Sequence, residues 1–340
     1  MSVAKLFLTV IAIIVIALTG ALAWSVWPIS TDINKPDPAV VLANKLGMQN
    51  ASYTEGYVGE KGERIHYVTA GEGEPIIFVH GFPSYWFTMF GLMEAFKSDY
   101  QVIAVDGLGV GRSEVPSSKS AYEMENLVGN LGLLIDELGL EKPHLVGHDW
   151  GSSLVTGYAQ VNPDKVSTVT AMSALPYNIV MPRIDADDKH KEVYSYVDYF
   201  KSGNPILIKV MNAKKSIWEG TFQPFVEKGI ISLEEGERYR EDIGNAKRLN
   251  EFINWYRVNF PDFGSLADLD FYPGRGVRLT NPAIFIYGEE DRVVTPELVS
   301  DLKAASDNLK VISYSNIGHR PHFDKKEDVV REIRALIEAN

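Results

Sequence analysis

The chain has 340 residues, 45% of them hydrophobic, enough to bury a core in one large domain with an insertion or in two domains, so a disordered chain is excluded. Its net charge of -12 and pI near 5.1 argue against a nucleic-acid partner, because phosphate binding needs clustered Lys and Arg and none is present. Cysteine is absent, which removes a disulfide framework, a thiolate nucleophile and Cys-ligated metal together.

In chain order, the first feature is Leu6 to Trp27, 22 residues without a charge. As a helix it would span roughly 33 Å, enough to cross a bilayer. Lys5 supplies a positive flank, so the N-terminus is expected in the cytoplasm and the rest of the chain on the non-cytoplasmic side. Ala21-Leu22-Ala23 also fits a signal-peptide cleavage site, which would make the mature chain secreted or periplasmic. Residues 28–52 then read as a tether.

From Tyr53 short apolar runs alternate with helical stretches. YTEGYV and RIHYVTAG, separated by Gly59-Glu60-Lys61-Gly62, read as a hairpin. Runs at 75–81, 100–107, 142–149, 166–174, 281–291 and 309–319 suit strands buried on both faces of a parallel sheet. Roughly residues 178–262 lack a convincing buried strand and carry helix-like stretches rich in Tyr, Trp and Phe, so this segment reads as an insertion.

Gly147-His148-Asp149-Trp150-Gly151 follows a strand and opens a helix, the context of a nucleophile elbow. The glycines permit a tight turn that lifts Asp149 above the sheet and leaves the Trp150 N–H to hold an oxyanion. A lone Asp after a strand also reads as a helix cap. Its company points to chemistry instead: His80-Gly81-Phe82-Pro83 places the Phe82 N–H as a second oxyanion donor, Asp291 ends a later strand, and His319 follows the last. The order nucleophile, acid, histidine is 149, 291, 319.

On these residues, and on Asp106-Gly107-Leu108-Gly109-Val110-Gly111-Arg112-Ser113 matching a D-x-x-G-x-G-x-S loop, the chain from about Tyr53 to Asn340 resembles the α/β-hydrolase superfamily, and within it the epoxide hydrolases and haloalkane dehalogenases with an aspartate nucleophile. The resemblance implies a mostly parallel eight-stranded sheet flanked by helices, with a core at 53–177 and 263–340 and a helical cap at 178–262; residues 1–27, outside it, are the membrane anchor or signal peptide that the charge-free run predicts.

The aspartate has a chemical reason. A serine attacking a saturated carbon leaves an ether, which water does not readily cleave, whereas a carboxylate leaves an ester. Asp149 would be ionised at neutral pH and attack without a base; His319, oriented by Asp291, would then activate water against the ester carbonyl. Tyr196-Val197-Asp198-Tyr199-Phe200-Lys201 resembles the epoxide hydrolase cap pattern Y-x-x-Y-F-Q, with Lys201 in place of Gln, and Asn254-Trp255-Tyr256-Arg257 matches N-W-Y-R. The resemblance therefore makes Tyr196 and Tyr256 the acids that polarise the ring oxygen, with Tyr194 and Tyr199 as neighbours that could replace Tyr196. Phe82 stands where many dehalogenases carry a halide-binding Asn.

The expectation is an epoxide hydrolase acting on a small apolar epoxide and water, with no cofactor. A haloalkane dehalogenase is the alternative, and a ligand receptor on the same fold belongs to another class. His80 and His148 read as loop supports, and His322 as a second candidate base. No metal-ligand spacing is visible. The oligomeric state is not legible.

Overall fold

The computed structural model describes residues 33–202, 216–261 and 272–340. Each of the eight runs forms a strand: β1 (Thr54–Val58), β2 (Ile65–Ala70), β3 (Pro75–Val79), β4 (Gln101–Val105), β5 (His144–His148), β6 (Val169–Met172), β7 (Ala283–Gly288) and β8 (Leu309–Tyr314). They make one sheet in the order β1-β2-β4-β3-β5-β6-β7-β8. β1, β2 and β4 pair antiparallel, and every pair from β4 through β8 is parallel. The unbroken apolar runs take the centre because helices cover both faces there; Ile76, Ile77 and Phe78 of β3 are fully buried, while the edge strand β8 is half-exposed.

The helices are α1 (Pro38–Leu46), α2 (Phe90–Phe96), α3 (Met124–Glu137), α4 (Trp150–Val161), then between β6 and β7 α5 (Tyr177–Ala186), α6 (Asp188–Val193), α7 (Tyr196–Ser202), α8 (Ser216–Thr221), α9 (Gln223–Glu227), α10 (Leu233–Ile243) and α11 (Ala246–Asn259), and finally α12 (Pro296–Ala304), α13 (Pro321–Asp324) and α14 (Lys326–Glu338). No strand lies between β6 and β7 among the described residues.

The apolar segment 6–27 lies outside the described residues; among those described, no helix is long and apolar enough to cross a membrane. Part of the segment read as a tether is packed rather than extended. Ala39, Val40, Leu42 and Ala43 of α1 are buried, and Asp37 both caps α1 through the Ala39 N–H and accepts the Trp86 indole N–H at 2.7 Å.

A buried ionic knot supports the loops above β3 and β4. Asp106 accepts the Trp86 N–H at 2.9 Å, the Arg112 N–H at 2.9 Å and His66 Nδ1–H at 2.8 Å, and His66 Nε2–H reaches Glu55 at 2.9 Å. Burial opposes the charge on His66, but Asp106 and Glu55 outweigh it and hold the imidazole up at about 9. Because this folded value lies above the ordinary 6.5, the linked stability is fully present below that pH and lost as pH rises through about 9. Asp106→Ala is expected to cost about 3–5 kcal/mol, because the buried imidazolium keeps only Glu55 and the Trp86 and Arg112 N–H groups lose their acceptor. Urea midpoints at pH 6 check it, and a midpoint like wild type would refute it.

Candidate active site

The parallel strands deliver the chemistry at their carboxyl ends. β3 leads into His80-Gly81-Phe82, β5 into Asp149, β7 into Asp291 and β8 into His319. Between β5 and α4 there is room for one residue, Asp149, held at φ 54° and ψ -122°. L side chains rarely adopt that backbone, and the strain is imposed by its surroundings. A Cβ on Gly147 would collide with the Gly151 carbonyl, and one on Gly151 with the Val79 carbonyl, so the strand and helix approach this closely only through glycine.

Asp149 occupies the N-cap position of α4 without capping it. Its Oδ1 accepts the Phe82 N–H at 2.7 Å, and the Trp150 N–H also bonds the carboxylate. Oδ2 lies 3.3 Å from His319 Nε2. Burial disfavours the charge on Asp149, but His319 and these donors overcome it and hold the carboxyl at about 2.

His319 Nδ1–H donates to Asp291 Oδ2 at 2.8 Å, while Asp291 Oδ1 takes the Val293 N–H at 3.2 Å. Burial works against the imidazolium, but Asp291 and Asp149 raise it to about 9. His148, kept neutral at about 3 chiefly by burial, donates Nε2–H to the His319 carbonyl at 2.7 Å. His80 accepts the Gly107 N–H at 3.1 Å and donates to the Gly81 carbonyl, tying the Phe82 loop to the Asp106 loop. Both histidines therefore support loops. His322 is buried against the His148 ring, with centroids 4.3 Å apart, and burial drives it well below its ordinary value.

The helices between β6 and β7 bring two tyrosines over Asp149. Tyr196 and Tyr256 line a cavity of about 600 Å³ together with Asp149, Asp291 and His319. A smaller apolar chamber, walled by Trp150, Leu175, Tyr194 and Phe260, meets it at Asp149 and the same two tyrosines. Tyr194 is occupied, donating its hydroxyl to the Val293 carbonyl at 3.1 Å, and Tyr199 is 49% exposed, so neither replaces Tyr196 at Asp149. Neither the Tyr196 nor the Tyr256 hydroxyl donates to a protein acceptor among the described residues. Both phenols are held well above 10, first by burial and then by neighbours that include Asp149, so they stay protonated.

The N-W-Y-R sequence has a local explanation. Trp255 Nε1–H bonds the Leu108 carbonyl at 3.1 Å, fixing α11 to the loop after β4; Arg257 accepts nothing and donates to Asn254 Oδ1 at 2.8 Å; Tyr256 is thereby turned onto the edge-on rings of Trp150 and Phe82. Sequence reasoning did not single out Arg320, which lines the large cavity beside His319; adjacency to the histidine was the only signal.

The family model described as the alpha/beta hydrolase fold matches residues 74–326. A curated relative from Siraitia grosvenorii, "Epoxide hydrolase 3", is 32% identical over 256 residues, covering 69% of this chain and 80% of the relative. "Bifunctional epoxide hydrolase 2" of Sus scrofa is 25% identical over 312 residues, covering 85% of this chain; the chain spans 56% of that longer relative. The crystal structure of a Bacillus megaterium epoxide hydrolase matches with a TM-score of 0.73 at 23% identity, over 83% of this chain and all of the other, a likeness of fold.

Proposed function

This chain belongs to the α/β-hydrolase fold family and, within it, to the epoxide hydrolases, and we propose that it converts an epoxide to a vicinal diol through an ester on Asp149. The observation that carries this reading is the pairing, across one cavity, of a strained, ionised Asp149 with two protonated tyrosines that have no protein acceptor among the described residues.

Asp149 Oδ2 attacks a ring carbon from below while Tyr196 and Tyr256 hydrogen-bond the ring oxygen from above. The C–O bond of the ring breaks, and the oxygen takes a phenolic proton. His319 then removes a proton from water, whose oxygen adds to the Asp149 ester carbonyl. The Phe82 and Trp150 N–H groups already hold that carboxyl and would hold the tetrahedral oxyanion. Collapse expels the diol oxygen from the acyl carbon and restores the carboxylate, and the histidine's proton returns to the phenolate or the diol.

Esterification itself prepares the second step. Asp149 helps to hold His319 protonated and both phenols above their ordinary values. Once Asp149 is a neutral ester that charge is gone, so His319 gives up its proton more readily and is left as the neutral base, while the phenols become better acids.

Loss of one phenol, in Tyr196→Phe or Tyr256→Phe, is expected to lower kcat by about 100-fold, as removal of one oxyanion donor does elsewhere. Loss of both should slow ester formation in single-turnover assays further still. Unchanged alkylation rates in the double variant would exclude the two phenols. A haloalkane would use the same nucleophile but has no ring oxygen to receive those protons. The apolar run at residues 6–27 supports, within the same proposal, a catalytic domain held on or exported to the non-cytoplasmic side of a membrane; recovery of the full chain in the cytosolic fraction would remove that part.

A further inference from the structure

Arg320 is the residue after the proposed base, and it lines the reaction cavity with Asp149, Tyr196 and Tyr256. Other arginines are matched: Arg64 with Glu114, Arg183 with Asp301, Arg238 with Asp242 and Arg278 with Asp307. Among the described residues Arg320 has no side-chain hydrogen bond or ion pair, and its guanidinium sits over the Phe222 ring at 4.9 Å. A guanidinium cannot shed its proton, so a partly buried one on which carboxylates act only from a distance, with none paired to it, leaves a hydrogen-bonding demand unmet. Stacking on Phe222 fixes the plane of the fork and leaves its N–H groups to a ligand.

We infer that Arg320 binds a carboxylate carried by the epoxide, so that the preferred substrates are short oxirane carboxylic acids; this rests on the proposed epoxide hydrolysis. The planar, two-donor fork matches a carboxylate, and the cavity's apolar lining, Phe82, Phe200 and Ile217, suits a carbon chain. Glu290 and Arg292 also line this cavity and oppose each other in sign, leaving Arg320 to set the preference. An anionic substrate would otherwise be repelled by Asp149 and Asp291, the two charges that bear most on Arg320. Arg320 and Asp149 line the same cavity, so one short molecule is to reach both with its carboxylate and its ring.

The test pairs oxirane carboxylic acids of graded chain length with their primary amides. Wild type is expected to favour one acid over its amide by about 10- to 100-fold in kcat/KM, the range of a charge-assisted hydrogen bond. In Arg320→Met that ratio should fall to about one or below, chiefly through KM. Equal rates for acid and amide in wild type, or a preference that survives Arg320→Met, or an equal loss on both substrates, would overturn the assignment. Should the variant not fold, competition in wild type decides: butanoate is expected to inhibit about 10-fold more tightly than butanamide, and equal inhibition would overturn it. If neither epoxide is hydrolysed while butanoate still binds in preference to butanamide, epoxide hydrolysis fails and the carboxylate site stands.

Discussion

Asp149→Asn is expected to lower kcat on any epoxide by about 10,000-fold or more, because an amide neither attacks an unactivated ring carbon nor leaves an ester for water. The fold should survive. Asn tolerates the left-handed backbone at position 149 better than most residues, and its amide oxygen can still take the Phe82 N–H. Removing the charge has a second effect visible without substrate: His319, raised to about 9 partly by Asp149, should titrate lower when followed by NMR. An Asp149→Asn protein that keeps most of its turnover would mean that water attacks the epoxide directly.

His319→Gln should separate the two half-reactions. Alkylation of Asp149 needs no base, so the first turnover proceeds, whereas ester hydrolysis loses its base and slows by about 100- to 10,000-fold. One equivalent of epoxide per active site should be consumed in a burst, and the intact protein should gain the mass of the substrate. In wild type the two steps should also differ in pH dependence. Asp149, at about 2, stays ionised across the neutral range, so alkylation should be flat there. Hydrolysis should fall as pH drops, because protonated His319 is no base and esterification has lowered it from about 9. A slow first turnover and no trapped ester in His319→Gln would instead give the histidine a role in ring opening.

The strands were legible as elements along the chain because the central ones are short apolar runs, three of them closed by Gly or Asp, and because a sheet covered on both faces leaves no polar alternation to confuse the reading; their order in the sheet was not read. Asp149, Asp291 and His319 were legible from their positions at strand ends, and the structure brings them within 3.3 Å of one another in sequence along the chain of bonds. What could not be read is what depends on the fold of the intervening helices. Nothing in the spacing of Tyr194, Tyr196 and Tyr199 says which phenol faces Asp149; the Val293 carbonyl, a hundred residues away in the chain, removes Tyr194 from the choice. The knot of Asp106, His66 and Glu55 was hidden for the same reason, since its members come from three separate segments. Asp37 was read as part of a tether, yet Pro38 opens α1 as a first-turn proline does. Arg320 shows the limit most directly: an arginine in sequence carries no sign of whether a carboxylate will meet it.

The ester on Asp149 is tested most directly by a single turnover in water enriched in oxygen-18, with enzyme in excess over epoxide. Attack by Asp149 predicts a diol whose added oxygen comes from the carboxylate and is unlabelled, with the heavy isotope recovered in the peptide that contains Asp149. Heavy oxygen in the diol and none in that peptide would contradict it.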